Sequence, residues 1–433
     1  MSTSTPVSPP RLQSLDQFRG YTVAGMWLVN FMGGFVVCPQ IWKHSNNYCS
    51  YADTIMPQFL FAAGFALRLS FLKHLQHGGG QEAWLRMLRR GISLSLIAII
   101  LYSLGDWHGI AKSYHEQGLL YTLAACAKRS WMQTLLHIAL TCIWILPVIS
   151  ASVRTRVAYA AASGLLHVVL SAWFNFMWVN NLLPNGDPIP ATQLGAGSGI
   201  DGGPLGFLTW CIPAIAGTWA YDIVQRARSS PTGSGHALLP AIQKLLAVGS
   251  GLALLGWVLS CGTTIYNVPD ALADELKEQK FAQNPVFPSK EQLAAWNHQP
   301  AEPPFVPPPD TDHRKLNYWM MSQRSGTLSY PTFAAGFSLL VMALFVWAVD
   351  VHGWKLGAFR TLGMNALVGY IVPGIFTPFA RRWSGMLFGE LTEHGRLPKS
   401  AGALSVAVAF GLMCLMSYLV LRIMEWRKIY IRM

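Results

Sequence analysis

The sequence predicts an all-α, polytopic integral membrane protein with about ten transmembrane helices and both termini in the cytoplasm. Three observations point there. Of 433 residues, 52% are hydrophobic and 12% charged, with a mean hydropathy of +0.32, which leaves too little polar surface for a soluble globule of this size. Apolar runs long enough to cross hydrocarbon recur along the chain, and in lipid a helix is the open-ended element that pairs its own backbone groups. Lys and Arg gather in alternate connections between those runs.

The runs cover approximately residues 18–38, 52–72, 92–104 with flanks, 132–149, 157–179, 205–224, 242–261, 328–349, 362–379 and 404–423. The connections after the second, fourth, sixth and eighth carry Lys73, Arg86, Arg89 and Arg90; Arg154 and Arg156; Arg226, Arg228 and Lys244; Lys355 and Arg360. Arg422, Arg427, Lys428 and Arg432 follow the tenth. The positive-inside rule makes these segments cytoplasmic and turns the loop at 39–51 outward. Lys128 with Arg129, and Arg381 with Arg382, run against the rule and mark a re-entrant segment or an unassigned short helix. The formal net charge of +12 then faces anionic lipid, and nucleic acid is not an expected partner.

Four segments follow. Residues 1–17 form a cytoplasmic tail with a Ser/Thr/Pro-rich, disorder-prone start; without a cleavage pattern after it, the first run stays as a signal anchor. Residues 18–261 hold seven spans and the outer loop. Residues 262–327 are a Pro-rich periplasmic insertion, "PAEPPFVPPPD" near its middle, which is either a tether or a lid in which "PDALADELKEQKF" can form a short amphipathic helix; partial order without chemistry is the expectation. Residues 328–433 hold three spans and a basic tail.

Chemistry concentrates in "CPQIWKHSNNYCSYADTIMPQFLF", residues 38–61. A neutral imidazole at His44 can take a proton from an attacking amine or hydroxyl, or itself carry an acyl group. Asp53 is placed to orient that ring, or to N-cap the second span, and both roles are compatible. Asn30, beside Gly33 and Gly34, can donate to a developing oxyanion. Cys38 and Cys49 flank the histidine on the oxidising side, where a disulfide would hold the loop. Cys126 is also assigned outside, while Cys142, Cys211, Cys261 and Cys414 read as small apolar residues; their spacing carries no metal signature, and no metal is expected.

Other polar groups carry weaker expectations. Gln133 and His137 share a helix face, while His167, Asn175 and Asn365 suit interhelical hydrogen bonds. Asp16 and Arg19 form either a local ion pair or a ligand contact. "LGAGSGIDGGPLGFLTW", residues 194–210, is a weak anion motif that on the outer side suits a sugar.

The stretch "RLQSLDQFRGYTVAGMWLVNFMGG", then His44, then "YADTIMPQFLFAAGFALRL" resembles the catalytic membrane domain of the heparan-α-glucosaminide N-acetyltransferase family, including its bacterial glucosamine N-acetyltransferase-like branch. The resemblance is specific over residues 11–70 and suggestive over "GIDGGPLGFLTW" and "RTLGMNALVGY". It implies transfer of acetyl from cytoplasmic acetyl-CoA to the amino group of glucosamine across the membrane, with His44, Asn30 and Asp53 at the family's site positions. It also implies a multi-pass bacterial inner-membrane enzyme with an amino-sugar acceptor; a homodimer is left open. Arg86, Arg89 and Arg90 then serve as contacts for the CoA phosphates or only as topology markers. Three departures are expected: no luminal domain before the first span, the added 262–326 insertion, and Thr134 after Gln133 where relatives often have Arg. Two rival classes remain, an O-acyltransferase of envelope polysaccharide and a secondary transporter.

Overall fold

The computed structural model describes residues 12–104, 107–131, 133–183, 201–229, 238–272 and 274–431. Helix α1 (Gln13–Met32) leads through a loop to α2 (Tyr51–Leu104), which bends at Gly79, and then to α3 (Trp107–Trp131). The chain continues through α4 (Thr134–Ile145), α5 (Val153–Leu170), a π-helical turn (Ser171–Asn175) and the short α6 (Phe176–Val179). Beyond these lie α7 (Phe207–Arg228), α8 (Leu239–Ser260), α9 (Lys290–Ala295), α10 (Ser329–Phe345), α11 (Gly357–Met364), α12 (Ala366–Phe388) and α13 (Ala403–Trp426).

Among the described residues six helices are long and apolar enough to cross a membrane, or eight if two bent pairs each count as one span. The other four expected spans fall short of that measure for physical reasons. The α1 helix begins at Gln13 and spends its first turns on polar side chains, with Ser14 donating to Asp350 at 2.5 Å. The α4 region is a short apolar helix, Thr134–Val148. Residues 92–102 belong to the arm Gly79–Tyr102, which meets Trp107–Cys126 at 88°, a helix the sequence did not announce. The ninth expected span is Gly357–Met364 bent by 95° against Ala366–Phe388.

The long arm of α2, Tyr51–Gln76, has 26 residues, about 39 Å at 1.5 Å per residue. It sits inside the bundle with α7 and α10, while α5, α8 and α13 leave Leu165, Leu254 and Leu415 exposed, as lipid-facing helices do. Glycines set the seam between α2 and α7. A Cβ on Gly64 would lie 1.9 Å from the Ala214 carbonyl oxygen, and one on Gly217 would lie 1.9 Å from that of Phe61. Only hydrogen at both positions lets the two backbones touch.

Hydrogen bonds sort the connections into two ends. At one, Val36 N–H donates to Lys399, Phe305 N–H to Cys49, and Thr134 to Asp201. At the other, Arg68 on α2 and Arg156 on α5 share the carboxylate of Asp222 on α7, the Arg68 bond being 2.6 Å. Arg156 also donates to Thr218, and Arg68 to the Ile149 carbonyl. Counted among the loop cations from sequence, Arg156 is instead 1% exposed and locks three helices. Arg381, one of the cations that ran against the charge rule, lies over the rings of Phe31 and Phe35 at 5.1 and 4.9 Å, which offer its charge a π face.

Asp222→Ala leaves two buried guanidinium groups without their carboxylate, a loss that typically costs about 3–5 kcal/mol. Thermal unfolding of the detergent-solubilised protein is expected to show a clear fall in midpoint. An unchanged midpoint would mean that the triad does not hold these helices.

Candidate active site

The loop between α1 and α2 carries His44, and its shape follows from one side chain. Asp53 lies in the first turn of α2 with its carboxylate fully buried. One oxygen sits 2.9 Å from His44 Nδ1. The other accepts from Ser50 N–H at 2.9 Å, from the Ser50 hydroxyl at 2.9 Å and from Ser45 N–H at 3.2 Å. Ser50 Oγ in turn accepts from Asp53 N–H at 3.3 Å, so Ser50 and Asp53 form a reciprocal cap in which Asp53 is the third helical residue and not the N-cap itself. From the far side, the Tyr330 hydroxyl donates to the Asp53 carbonyl.

With Nδ1–H donating to Asp53, the tautomer assigned by this network leaves the Nε2 lone pair for proton transfer. The imidazole stays 46% exposed and opens on a cavity of about 330 Å³. Asn30, on the last turn of α1, lines the same cavity and is exposed, with no hydrogen bond to its amide among the described residues. Burial pulls the His44 pKa down, but the hydrogen bond and charge of Asp53, the charge of Asp201 and the Gln323 amide outweigh it, so the pKa is raised above 6.5.

Asp201 and Gln323 are residues the sequence did not single out. Asp201 accepts from Thr134 at 2.6 Å and from the Gln323 amide at 2.7 Å. Burial pushes its carboxyl upward, against those two bonds and the nearby His44. Asp201 (φ 59) and Gly202 (φ 86) both take the left-handed conformation, and the Asp201 carbonyl is fastened by Trp210 Nε1–H at 2.6 Å. The one available signal was an acid inside the Gly-rich motif; residues 194–200 of that motif lie outside the described residues. No local signal marked Gln323, which reaches the site from the end of the insertion.

Residues 11–187 match the family model described as heparan-alpha-glucosaminide N-acetyltransferase, catalytic. Over this stretch the chain is similar to the catalytic domain of that family. The human heparan-alpha-glucosaminide N-acetyltransferase is 36% identical over 102 residues, which is 22% of this chain and 14% of the human protein. The family match takes in Asn30, His44, Asp53 and Thr134, whereas Asp201 and Gln323 lie beyond it.

A second cavity, about 840 Å³, opens beyond the opposite end of the Tyr51–Gln76 arm of α2. Arg19, Lys73, His74, Arg86 and Arg90 line it, and Tyr430 closes one side. The third expected phosphate contact, Arg89, is exposed and is not part of its lining. Ala52, Ile55, Met56 and Phe59 line the first cavity, and Ala66, Leu69, Ser70 and Lys73 the second. Each group repeats at three and four residues, and the seven from Phe59 to Ala66 are two helical turns, so these form one stripe of one helix. Gln133 and Thr134 stand on the histidine cavity, far along the chain from the basic one, while His137 is buried against Gly206 and lines neither.

The insertion is neither a loose tether nor helical where expected. Its α-helix among the described residues is α9, closed by a Ser289–Gln292 capping box, while "PDALADELKEQKF" opens on a 3-10 turn, Asp270–Leu272, and runs through turns at 274–278, with Lys315 Nζ donating to the Leu276 carbonyl at 2.8 Å. The expected disulfide is absent: Cys38 and Cys49 are free thiols buried in separate apolar clusters. His167 bonds the Tyr318 hydroxyl at 2.8 Å, and Asn365 ties the bend before α12 to Ile429 and Ile431, so both are structural. Among the described residues no three of His, Cys, Asp and Glu converge as a metal site would require.

The His44 ring is expected to titrate above about 6.5, the ordinary histidine value, in NMR of ring-labelled protein. Asp53→Asn removes the main upward influence and leaves burial, so the midpoint moves down. A midpoint that stays in place would dismiss Asp53 as the group that sets the basicity of this ring.

Proposed function

We propose that the protein is a transmembrane N-acetyltransferase that moves acetyl from cytoplasmic acetyl-CoA to the amino group of glucosamine or a related amino sugar on the other face. The observation that carries it is the His44–Asp53 pair, 2.9 Å apart, opening with Asn30 on one cavity. The family match over residues 11–187 supports the reaction class. Acetyl-CoA is a substrate here and no resident cofactor is invoked.

The phosphates of CoA lie in the basic cavity against Arg86 and Arg90, whose planar donors suit phosphate oxygens. The acyl arm follows the α2 stripe toward His44. The sugar amine attacks the thioester carbonyl carbon, Nε2 of His44 takes the amine proton, and Asn30 donates to the oxyanion as the C–O bond polarises. Collapse breaks the C–S bond, the thiol leaves carrying a proton, and the amide remains. Asp53 holds the imidazole in register and stabilises its cation. An acetyl-histidine intermediate uses the same groups in two steps.

Proteoliposomes supplied with labelled acetyl-CoA and glucosamine test this. His44→Ala is expected to lose about 10²–10⁴ in rate and Asn30→Ala roughly 10²-fold, both with folding intact. Because the base must be neutral, kcat/KM rises with pH through an apparent pKa above about 6.5, and in Asp53→Asn that limb moves to lower pH. Arg90→Gln raises KM for acetyl-CoA more than it lowers kcat. Acetylation of sugar hydroxyls instead of amines, or sugar uptake without acetyl-CoA, would replace this proposal with the O-acyltransferase or transporter class.

A further inference from the structure

Two phenols meet beside the His44 cavity. Tyr102, at the end of the Gly79–Tyr102 arm, and Tyr370, in the second turn of α12, have their hydroxyl oxygens 2.7 Å apart. The Tyr102 ring packs with Ala98, Leu135 and Leu136, and its oxygen accepts from the Leu135 N–H at 3.4 Å. That N–H belongs to the first turn of α4, where donors have no partner within the helix and the dipole is positive. Tyr102 is not part of the cavity lining, and among the described residues the one acceptor bonded to its hydroxyl is the Tyr370 oxygen. A hydroxyl set in an apolar cluster gives its proton to such a partner, so Tyr102 is the donor and Tyr370 the acceptor.

The proton of Tyr370 is then left over, and Tyr370 does line the cavity. Thr134 and Asp201 stand near it on the same wall, and the Thr134 hydroxyl already donates to Asp201 at 2.6 Å. Each bond in a row of hydroxyls polarises the next, so the chain from Leu135 N–H through Tyr102 ends in a strengthened donor at the cavity. A neighbouring helix sets its register. Trp27 Nε1–H donates to the Gly369 carbonyl at 2.8 Å, and a Cβ on Gly369 would lie 2.9 Å from Val23, so α1 and α12 are fastened one residue before Tyr370. Asn30 is three residues beyond Trp27 on α1 and therefore on the same face; it lines the same cavity, with its amide unbonded among the described residues. Two neutral donors from adjacent helices thus share one cavity with the His44 imidazole.

We infer that Tyr370 is a catalytic residue, which with Asn30 forms a two-donor site for the thioester carbonyl oxygen while that oxygen carries charge. The inference rests on the transferase proposal for the acetyl donor and the reaction. As the amine nitrogen bonds to the carbonyl carbon, the C=O electron pair moves onto oxygen and both hydrogen bonds strengthen. As the C–S bond breaks, that pair returns to the carbonyl and sulfur takes the electrons of the broken bond. Tyr370 keeps its proton throughout, and no further reactant is needed. Tyr102 does not reach the substrate; it is a positioning residue that sets which way the Tyr370 hydroxyl turns. Donors in place before the charge appears favour the transition state over the bound substrate, so their loss is read in kcat.

Full-length protein in nanodiscs gives two readouts. In acetyl transfer to glucosamine, Tyr370→Phe is expected to lose about 10²-fold in kcat, with KM for acetyl-CoA and for the sugar held within about threefold. Tyr102→Phe keeps the Tyr370 hydroxyl and is expected to lose less, about tenfold, because only the relay behind that donor is gone. The second readout needs no sugar. In infrared difference spectra of bound acetyl-CoA labelled at the thioester carbonyl, the carbonyl band is expected to move to higher frequency in Tyr370→Phe, and further when Asn30→Ala is added. An unmoved band, a kcat within about threefold of wild type, or a loss confined to KM overturns the inference. Should Tyr370→Phe fail to fold, Tyr102→Phe decides, and an unchanged kcat and band in that variant overturn it equally. A band that moves while wild type acetylates no sugar removes the proposed acceptor and leaves this inference standing. Acetylation at the wild-type rate by Tyr370→Phe keeps the transferase and removes the second donor.

Discussion

The site depends on one buried carboxylate. Asp53 closes the first turn of α2 with Ser50, gathers the 33–50 loop through Ser45 N–H, and holds His44 by Nδ1. Each bond satisfies a group that would otherwise be stranded, and together they leave the carboxylate no freedom. A base whose orientation is fixed before the substrate arrives loses nothing to reorganisation during the reaction. The same atoms that begin the helix aim the imidazole proposed as the base.

Around that point the bundle works by close approach and polar locks. The Gly64–Gly217 seam brings α2 and α7 to backbone contact, and the Arg68–Asp222–Arg156 cluster fixes their far ends with α5. The arm of α2 is thereby held at both ends, with a cavity at each, and its side-chain stripe is the straightest route between them. Association in lipid gains little from apolarity alone, so such contacts carry the geometry.

Much of this was legible in the sequence. Helical class, the long apolar elements and the trio Asn30, His44 and Asp53 follow from hydropathy and from a histidine set between two spans, and the structure brings the trio to one cavity wall and its support. What stayed hidden depends on distance in the chain. Asp201 is 148 positions beyond Asp53 and Gln323 a further 122, and no periodic pattern couples residues so far apart. Arg156 looked like a loop cation because charge counting cannot see Asp222 across the bundle. The bent helices escaped for another reason: a hydropathy window measures apolar length and is blind to direction, so an 88° or 95° turn between short helices reads as one span or none.

Beside the Gln323 amide, the insertion grips the His44 loop through main chain, Phe305 N–H to the Cys49 carbonyl at 2.9 Å. Phe305 keeps its unusual positive φ of 74° with its ring packed on Phe333 and Phe337. A bond of that kind does not care which side chains flank it; proline at 305 is the one natural residue that abolishes the donor. The clasp can therefore outlast wide drift in the amino acids around it. Chains that share such a clamp need show little residue identity there, and alignment columns over the insertion would understate how firmly it belongs to the candidate site.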